Sequence, residues 1–382
     1  MKTTTSFVSA CLAGWAISAA VDVQQPLLTP RLGPSLSSLL DLHKSLVQRP
    51  SITGSEANVS EFLTTYLRAR GFTVEGQPVD GDRENVFAYL HGSRSTRVLV
   101  TSHIDTVPPY WPYERRGDEL WGRGTVDAKG SVAAQIIAVE SLLHESKISQ
   151  GDIALLFVVG EETGGAGMRA ANELGLSWES VIFGEPTELK LARGHKGAMG
   201  FTVKAKGKAG HSGYPETGRN AIDLLVQGLA ALKLVELPWS EDLGNTTINV
   251  GKIEGGFAPN VIPANASATA VVRIASGSPK EIQKLVRDAL GKVSSDIEVE
   301  FTAGIGPVPI DYDIDGFETI AVSYGTDIPS LGGHHKRYLF GPGSILEAHS
   351  AHEHLKISDL EDAVNGYKTL ITESLKRNAS SN

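Results

Sequence analysis

The chain has 382 residues and a formal net charge of −9, because 44 Asp and Glu residues outnumber 35 Lys and Arg residues. Hydrophobic residues make up 41% of it and charged residues 21%, which is typical of a globular protein and excludes a disordered or fibrous one. The length suggests two domains, and the negative charge argues against a nucleic-acid partner, since such binding depends on Lys and Arg.

The first twenty residues have the pattern of a secretory signal peptide. Lys2 supplies a positive charge, residues 7–16 are mostly apolar but too few to span a bilayer, and residues 18–20 are small. A short membrane anchor or a buried helix is the alternative. We therefore expect residues 1–20 to be removed, which leaves a secreted protein with no membrane contact. Cys11 is the single cysteine of the chain, so the mature protein is predicted to contain no disulfide.

Four Asn-X-Ser/Thr sequons follow this segment and are candidate glycosylation sites in a secreted eukaryotic chain. The pattern is short and often occurs by chance, so each sequon is weak evidence alone. The four are Asn58, Asn245, Asn265 and Asn378.

Helices and strands alternate in the first half of the chain. Apolar residues at helical spacing predict helices, and short continuous apolar runs predict buried parallel strands. This alternation predicts an α/β fold, a mostly parallel sheet flanked by helices. The predicted helices cover residues 39–47, 59–70, 131–144 and 168–174, and the predicted strands cover residues 98–100, 153–159 and 181–183.

The pattern changes near Gly194 to strands that alternate apolar and polar residues, as in an antiparallel sheet covered on one face. The α/β pattern resumes with a strand at 338–340 and a helix at 360–376. We therefore predict a larger domain of residues 21–195 plus 305–382, with a smaller α+β domain, residues 196–304, inserted into it.

Acidic and histidine residues follow the predicted buried strands. His103 and Asp105 follow the first strand, Glu161 and Glu162 the second, and Glu185 the third. Ligands of open parallel sheets bind beyond the carboxyl ends of the strands, so these side chains are expected to meet in one cleft. Two adjacent carboxylates at the end of a buried strand raise each other's pKa unless a cation compensates.

A metal centre is the chemistry that these residues favour. Asp127 lies just before the helix predicted at 131–144 and is expected at the same cleft. His103 and Asp105 share one face of a strand, so Asp105 can orient the His103 ring. A single His-X-Asp pair is often only a hydrogen-bonded surface pair, but its position beside the other strand ends favours a metal site. A cluster of His, Asp and Glu without Cys suits zinc, cobalt or manganese.

Eight short motifs contain these residues and run along nearly the whole mature chain. Together they resemble the co-catalytic zinc aminoacylase and carboxypeptidase family, which includes acetylornithine deacetylase, succinyl-diaminopimelate desuccinylase and glutamate carboxypeptidase. The motifs are Ser102-His-Ile-Asp-Thr-Val107, Gly122-Arg-Gly-Thr-Val-Asp-Ala-Lys-Gly130, Glu161-Glu-Thr-Gly164, Gly184-Glu-Pro-Thr187, Gly210-His-Ser-Gly-Tyr-Pro215, Asn260-Val-Ile-Pro263, Gly341-Pro-Gly343 and His349-Ser-Ala-His-Glu353.

The resemblance implies a zinc-exopeptidase-like fold with a ferredoxin-like lid or dimerisation domain. It also implies two zinc ions per subunit, for which cobalt or manganese can substitute. Asp127 would bridge the two ions. His103 and Glu185 would complete one site, and Glu162 and His349 would complete the other.

The resemblance further implies how three residues take part in catalysis. Glu161 would be the general base that takes a proton from the metal-bound water, and Asp105 would hold the imidazole of His103. His211 would steady the oxyanion, in dimeric members at the active site of the partner subunit. A turn histidine is the alternative interpretation of His211.

Four more residues resemble substrate-binding positions of the family. Asn260 and Arg273 would contact the substrate, and Arg273 can pair bidentately with a carboxylate. Gly341 and Gly343 would let the backbone approach a substrate carboxylate closely. Arg273 can also be an ordinary arginine on a sheet surface, and where family members often carry Asp two residues earlier, this chain has Val271.

These features predict a secreted di-zinc carboxypeptidase or dipeptidase that cleaves an amide bond next to a free carboxylate. An N-acyl-amino-acid deacylase is the alternative, because the motif at 184–187 resembles the deacetylase branch. A two-His, one-carboxylate iron oxygenase would leave most of the acidic residues without a role. A non-catalytic metal-binding protein is the remaining alternative, against which the intact Glu161 argues. The resemblance also implies a homodimer through residues 196–304.

Overall fold

The computed structural model describes residues 33–90 and 92–378, with the backbone alone at residue 378. The predicted signal peptide with Cys11 and the side chain of the Asn378 sequon lie outside the described residues. No helix in the described ranges is long and apolar enough to cross a membrane.

The elements are numbered in chain order. The helices are α1 (Leu36–Val47), α2 (Ala57–Arg68), α3 (Lys129–His144), α4 (Ala166–Ala171), α5 (Ala221–Lys233), α6 (Pro279–Gly291) and α7 (Ile357–Asn378). The strands are β1 (Phe72–Asp80), β2 (Arg83–Leu90), β3 (Val98–His103), β4 (Glu114–Arg116), β5 (Glu119–Trp121), β6 (Ile153–Val158), β7 (Ser180–Gly184), β8 (Leu191–His195), β9 (Gly197–Lys206), β10 (Gly210–His211), β11 (Trp239–Ser240), β12 (Gly244–Asn245), β13 (Thr247–Gly255), β14 (Val261–Ile262), β15 (Asn265–Ile274), β16 (Ile297–Phe301), β17 (Val308–Pro309), β18 (Thr319–Val322), β19 (Lys336–Phe340) and β20 (His354–Lys356).

The larger sheet has six strands in the order β1-β2-β6-β3-β7-β19. The last four are parallel neighbours, whereas β2 pairs antiparallel with both β1 and β6. The predicted mostly parallel α/β fold is confirmed. The β1–β2 hairpin is not among the predicted strands, because Gly76 and Pro78 interrupt the strand pattern of β1. β1 lies at the edge of the sheet, where a proline is tolerated.

The central strands are buried on both faces, which explains their continuous apolar sequences. In β3, Val98 and Val100 pack into the core that contains α1, α2, α3 and α7, whereas Leu99 packs into the core on the opposite face. β6 divides in the same way, with Leu155 on the first face and Leu156 on the second. Since successive side chains of a strand point to opposite faces, a strand covered on both sides needs apolar residues throughout.

The smaller sheet is antiparallel and has the order β13-β15-β9-β16. Its strands and the helices α5 and α6 follow a β-α-β-β-α-β sequence, which is the ferredoxin-like arrangement. Alternate residues of β9 and β15 are buried against these two helices. This part of the fold agrees with the α+β architecture expected there, while the exact boundaries 196 and 304 stay a prediction.

The chain enters and leaves the smaller sheet through adjacent segments. The N–H of Ala198 donates to the carbonyl of Ile305 at 3.0 Å, and the N–H of Ile305 donates to the carbonyl of Ala198 at 2.9 Å. The two connections therefore run side by side. They lead into a three-stranded sheet of order β17-β8-β18.

Candidate metal centre

Three parallel strands place the predicted site residues along one edge of the larger sheet. β3 ends at His103, β6 ends shortly before Glu161, and β7 ends just before Glu185. β3 lies between β6 and β7, so the carboxyl ends of these strands are adjacent. Asp127, which precedes α3, and His349, in the loop after β19, reach the same edge.

Asp127 lies between two histidines. Its Oδ1 is 2.9 Å from His103 Nε2, and its Oδ2 is 3.1 Å from His349 Nε2. Each histidine also faces a second carboxylate: Glu185 Oε1 is 3.8 Å from His103 Nε2, and Glu162 Oε2 is 3.0 Å from His349 Nε2. The five residues thus form two sets of three that share Asp127. Ligand atoms of His103, Asp127 and Glu162 all lie within 4.8 Å of one another.

The chemistry of these donors fits divalent cations. The Nδ1–H of His103 donates to the backbone carbonyl of Asp105 at 3.0 Å, which leaves the Nε2 lone pair facing Asp127 and Glu185. Metal-binding histidines are typically oriented by such a hydrogen bond from the other ring nitrogen. Acceptors that face one another repel unless a proton or a cation lies between them, and imidazole with carboxylate ligands suits zinc, cobalt or manganese. The residues present therefore fit the ions that the resemblance implies.

Burial and like charge both act on the acidic side chains of this cluster. Burial raises the pKa of Glu161 and of Glu185 well above the ordinary value and also raises that of Glu162, and neighbouring carboxylates reinforce the effect. Hydrogen bonds to Asp127 and Glu162 raise the pKa of His349 to about 10. The centre thus contains more carboxylates than its histidines can balance, and a bound cation would relieve this repulsion.

The carboxylate of Asp105 contacts the backbone of the two adjacent glutamates. Its Oδ1 accepts from the N–H of Glu161 at 3.0 Å, and its Oδ2 accepts from the N–H of Glu162 at 3.2 Å and from the hydroxyl of Thr53 at 2.7 Å. The ring of His103 is nearer to the Asp105 main-chain carbonyl than to the Asp105 carboxylate, which is 3.5 Å away. Asp105 is therefore placed to hold the glutamate pair as well as the predicted histidine.

Three residues at this site were not assigned a role by their sequence context. Thr53 contacts Asp105 from a position fifty-two residues earlier in the chain. Asp327 is buried, lines the same small cavity as His103 and Glu185, and has its pKa raised to about 7 by burial. No local motif marks Thr53 or Asp327. Glu353 ends the motif that begins at His349, but the motif gives it no role.

His211 and Asn260 lie side by side on an exposed part of the smaller domain. His211 of β10 pairs with Val261 of β14, and the N–H of Ser212 donates to the carbonyl of Asn260 at 3.1 Å. The His211 ring accepts from the N–H of Gly213 at 3.0 Å, a contact within its own turn. Among the described residues, no hydrogen bond or ion pair links His211 or the Asn260 side chain to the metal centre, so their roles stay predictions.

Arg273 lies on β15 with its guanidinium exposed and beside the segment that carries Asp327. A Cβ atom placed on Gly325 would be 3.9 Å from Arg273 Nη1. In the ranges that the structure describes, no carboxylate forms an ion pair with Arg273, whereas Arg193 and Arg219 pair with aspartates. An unpaired guanidinium is consistent with the predicted substrate contact.

Gly341 and Gly343 are buried, and their backbone groups contact the loop after β7. The N–H of Gly341 donates to Thr187 Oγ1 at 3.0 Å, and the carbonyl of Gly343 accepts from the N–H of Glu188 at 2.8 Å. A Cβ on Gly341 would lie 2.4 Å from the carbonyl oxygen of Glu185, so only glycine fits there. The Gly341 amide is thus used within the fold, and its predicted approach to a substrate carboxylate stays a prediction. The role of Gly343 stays a prediction.

Three of the four sequons can be located, and each places its asparagine on the surface. Asn58 is exposed on α2, Asn245 is exposed on β12, and Asn265 is exposed at the start of β15. Solvent exposure is necessary for a glycan on the folded protein, so all three stay candidate sites.

Two family models match parts of this chain. The model described as "Peptidase dimerisation domain" matches residues 193–298, and the model described as "Peptidase family M28" matches residues 85–178. The first match covers β9, β13 and β15 of the smaller sheet and reaches the start of β16, and the second covers strands β3 and β6 with the predicted ligands between them. Each of these two matches covers less than half of the chain.

Two relatives align over nearly the whole chain. A peptidase M20 domain-containing protein of Schizosaccharomyces pombe is 48% identical, and the alignment covers 90% of this chain and 86% of that protein. A probable carboxypeptidase of Aspergillus clavatus is 43% identical, with 94% of this chain and 97% of that protein covered.

Solved structures show the same fold at lower identity. A tripeptidase from Staphylococcus aureus has a TM-score of 0.76 and 21% identity, covering 90% of this chain and 99% of its own. An M20 family metallo-carboxypeptidase from Sulfolobus solfataricus has a TM-score of 0.71 and 18% identity, covering 88% of this chain and 99% of its own. The resemblance inferred from the motifs is confirmed. Because relatives of this identity span the chain and its cluster of histidines and carboxylates fits metal ions, this protein belongs to the M20 family of metallopeptidases.

Proposed function

We propose that this peptidase is a secreted carboxypeptidase or dipeptidase that uses two zinc ions to cleave an amide bond next to a free carboxylate. The observation that carries the proposal is the position of Asp127, whose two oxygens each face a different histidine, at 2.9 and 3.1 Å. This arrangement offers two neighbouring sites that share one carboxylate.

The chain supplies three ligands to each of the two sites. His103, Asp127 and Glu185 would hold one ion, and Asp127, Glu162 and His349 the other. Zinc is the metal we propose, with cobalt or manganese as substitutes, because the five proposed ligands include no cysteine and imidazole and carboxylate ligands suit all three. When bound, such ions polarise the scissile carbonyl and lower the pKa of water to about 7.

Glu161 is the residue that moves the proton. It is adjacent in sequence to the ligand Glu162, and its N–H is anchored on Asp105 Oδ1 at 3.0 Å. Burial raises the pKa of Glu161, which makes its carboxylate a better proton acceptor. It takes a proton from the attacking water and then gives that proton to the nitrogen of the leaving amine, so the carboxyl group ends the cycle as it began.

Arg273 supports recognition of a free carboxylate. Its guanidinium lies beside the Gly325 segment and forms no ion pair with any carboxylate in the described residues. A substrate carboxylate would form a bidentate ion pair with the guanidinium of Arg273. The naming of the Aspergillus clavatus relative as a probable carboxypeptidase agrees with this specificity.

Secretion and dimerisation are further parts of the proposal. The charged and apolar pattern of residues 1–20 supports secretion, and N-terminal sequencing of the protein from culture medium tests it. The match to a dimerisation domain at 193–298 supports a homodimer through residues 196–304. A monomeric mass at micromolar concentration in solution would contradict that dimer.

The decisive experiment compares three classes of substrate. Mature protein loaded with zinc or cobalt is incubated with dipeptides, with the same dipeptides amidated at the carboxyl end, and with N-acetyl amino acids, beside a Glu161→Gln variant. We expect cleavage of the free dipeptides alone, at a rate about 10²–10⁴-fold lower in the variant. Cleavage of N-acetyl amino acids alone would identify a deacylase, which the motif at 184–187 keeps as the second candidate. No turnover in any class would favour a metal-binding protein without catalysis.

A further inference from the structure

Glu353 is a buried acid that the proposed mechanism does not use. Its side chain is inaccessible to solvent, and its Oε1 accepts three backbone N–H groups, those of Gly124 at 2.9 Å, Val126 at 3.1 Å and Asp127 at 3.3 Å. Its Oε2 accepts from Arg123 Nη1 at 2.6 Å. Both oxygens of this carboxylate are therefore committed to one stretch of backbone and the arginine that precedes it.

The stretch that Glu353 binds is the loop that presents Asp127. This loop lies between β5 and α3 and forms no ladder with another strand, so those of its buried amides that reach no backbone carbonyl depend on a side-chain acceptor. Glu353 supplies that acceptor for three of them. Backbone N–H groups bonded to one carboxylate oxygen converge on a single point, which fixes the path of the loop up to the Asp127 Cα.

Glu353 also belongs to the loop that presents His349, a second ligand of the site that Asp127 shares with Glu162. It follows His349 by four residues, and its own carbonyl accepts from the N–H of Gly122 at 3.3 Å. The Asp127 and His349 loops are thus joined at Glu353, and their ligand atoms meet at 3.1 Å, between Oδ2 and Nε2.

We propose that Glu353 is a positioning residue that sets the separation of Asp127 from His349 and thereby the affinity of the metal site that they share with Glu162. The proposal rests on the metal centre of the proposed function. It adds a role for a buried carboxylate that is not among the five proposed ligands. Residues that orient ligands in this way typically change metal affinity or activity by about 10–100-fold when they are replaced.

A merely structural role would produce a different result. Glu353→Gln keeps the size of the side chain but removes its charge and turns one acceptor into a donor, which cannot serve Arg123 and the three amides together. If Glu353 only stabilised the fold, the variant would lose thermal stability yet bind metal as tightly as the wild type below its melting temperature. Leu142→Ala, in the buried core of α3 far along the helix from Asp127, is the matched control for lost stability alone.

The test measures metal binding without relying on turnover. Metal-free wild type, Glu353→Gln and Leu142→Ala are titrated with Co²⁺ and with Zn²⁺ at a temperature where all three are folded, and occupancy is followed by the visible spectrum of Co²⁺ and by equilibrium dialysis. We expect two ions in the wild type and in Leu142→Ala. In Glu353→Gln we expect one of the two ions to bind about 10–100-fold more weakly, with an altered Co²⁺ spectrum.

Two other results would overturn the proposal, and they are distinguishable. Unchanged affinity for both ions in Glu353→Gln, with peptide hydrolysis intact in the wild type, removes the positioning role and leaves the proposed function standing. A wild type that binds neither ion removes the metal centre and this role with it. If Glu353→Gln does not fold, Glu353→Asp replaces it: the carboxylate is drawn back by one methylene, so the three amides lose their shared acceptor, and unchanged affinity in that variant overturns the proposal equally.

Discussion

Asp105 Oδ1 lies 3.0 Å from the backbone nitrogen of Glu161 and accepts its hydrogen bond. One carboxylate therefore holds the proposed base by its main chain, while its other oxygen holds Glu162 in the same way at 3.2 Å. The base and a metal ligand are consecutive residues with a common anchor, so a displacement of Asp105 would move both. Contacts with His103 and Thr53 hold the pKa of Asp105 below its ordinary value despite its burial, which keeps the anchor charged.

The hydroxyl of Thr53 is expected to matter for activity because it fixes this anchor. Thr53→Val removes the 2.7 Å hydrogen bond to Asp105 Oδ2 at almost constant volume, and we expect kcat to fall by about 10–100-fold. Thr53→Ser keeps the hydroxyl and should retain most of the activity. Steady-state kinetics on the best dipeptide substrate measures both. Equal kcat in Thr53→Val and the wild type would show that the two amides suffice to hold Asp105.

Replacing Glu161 should remove proton transfer while leaving the ligands in place. Glu161→Gln is expected to lower kcat by about 10²–10⁴-fold, the usual contribution of a general base. Metal content should remain that of the wild type, because Glu161 is not one of the five proposed ligand residues. Kinetics together with metal analysis of the purified variant checks both statements. Loss of bound metal in Glu161→Gln would instead make Glu161 a ligand.

Arg273 should determine the preference for a free carboxyl end. Loss of a hydrogen-bonded charged pair costs about 1.5–3 kcal/mol, so Arg273→Met is expected to lower kcat/KM for free dipeptides by about 10–100-fold. Substrates amidated at the carboxyl end should be cleaved as poorly as by the wild type. Arg287→Met is the control, since Arg287 is also in the smaller domain but lies over the ring of Phe301 at 4.9 Å. An equal loss in both variants would contradict a direct substrate contact.

His43 should make the protein less stable in acid. Its Nε2–H donates to the carbonyl of Thr125 at 3.1 Å, and its Nδ1 has no partner among the described residues. Burial lowers the pKa of His43 from 6.5 to about 4. Between these two values the unfolded chain binds a proton that the native state does not. The free energy of unfolding therefore falls as the pH falls through this window, by up to about 3 kcal/mol.

His43→Gln should lack this part of the acid sensitivity. Urea unfolding of wild type and variant at pH 7, 5.5 and 4.5 measures it. We expect the wild type to lose more of its unfolding free energy than the variant between pH 7 and 4.5. Parallel losses would show that His43 is protonated in the native state.

The edge of the sheet at which the site lies was predictable from the sequence because of a general property of parallel strands. Apolar runs marked β3, β6 and β7, and the polar residues after them had to meet once those strands paired side by side. The sequence does not show how far each side chain is from the next. That Asp127 faces both histidines depends on the course of two loops, and one of these is fixed by Glu353, more than two hundred residues further along the chain.

The parts that were not predictable involve single polar residues or irregular strands. Thr53 bonds to a residue that is distant in sequence, and Asp327 lines a cavity with His103 and Glu185. A lone Thr or Asp has no pattern that distinguishes it from a solvated one. Gly341 is expected to approach a substrate, and this stays a prediction; that the same glycine also lets two protein loops touch, with no room for a Cβ beside the carbonyl of Glu185, is not marked by any sequence pattern. The β1–β2 hairpin lacked a clear period because an edge strand tolerates Gly76 and Pro78.

The paired backbones of Ala198 and Ile305 have a consequence for how this protein could have arisen. In an antiparallel pair the two Cα atoms are only about 4.5–5.5 Å apart. If residues 199–304 were removed, a tight turn could therefore join Ala198 directly to Ile305. No pairing of the six-stranded sheet would be broken by that replacement. The insert could thus be gained, exchanged or lost without rerouting the chain of the framework that carries the metal ligands.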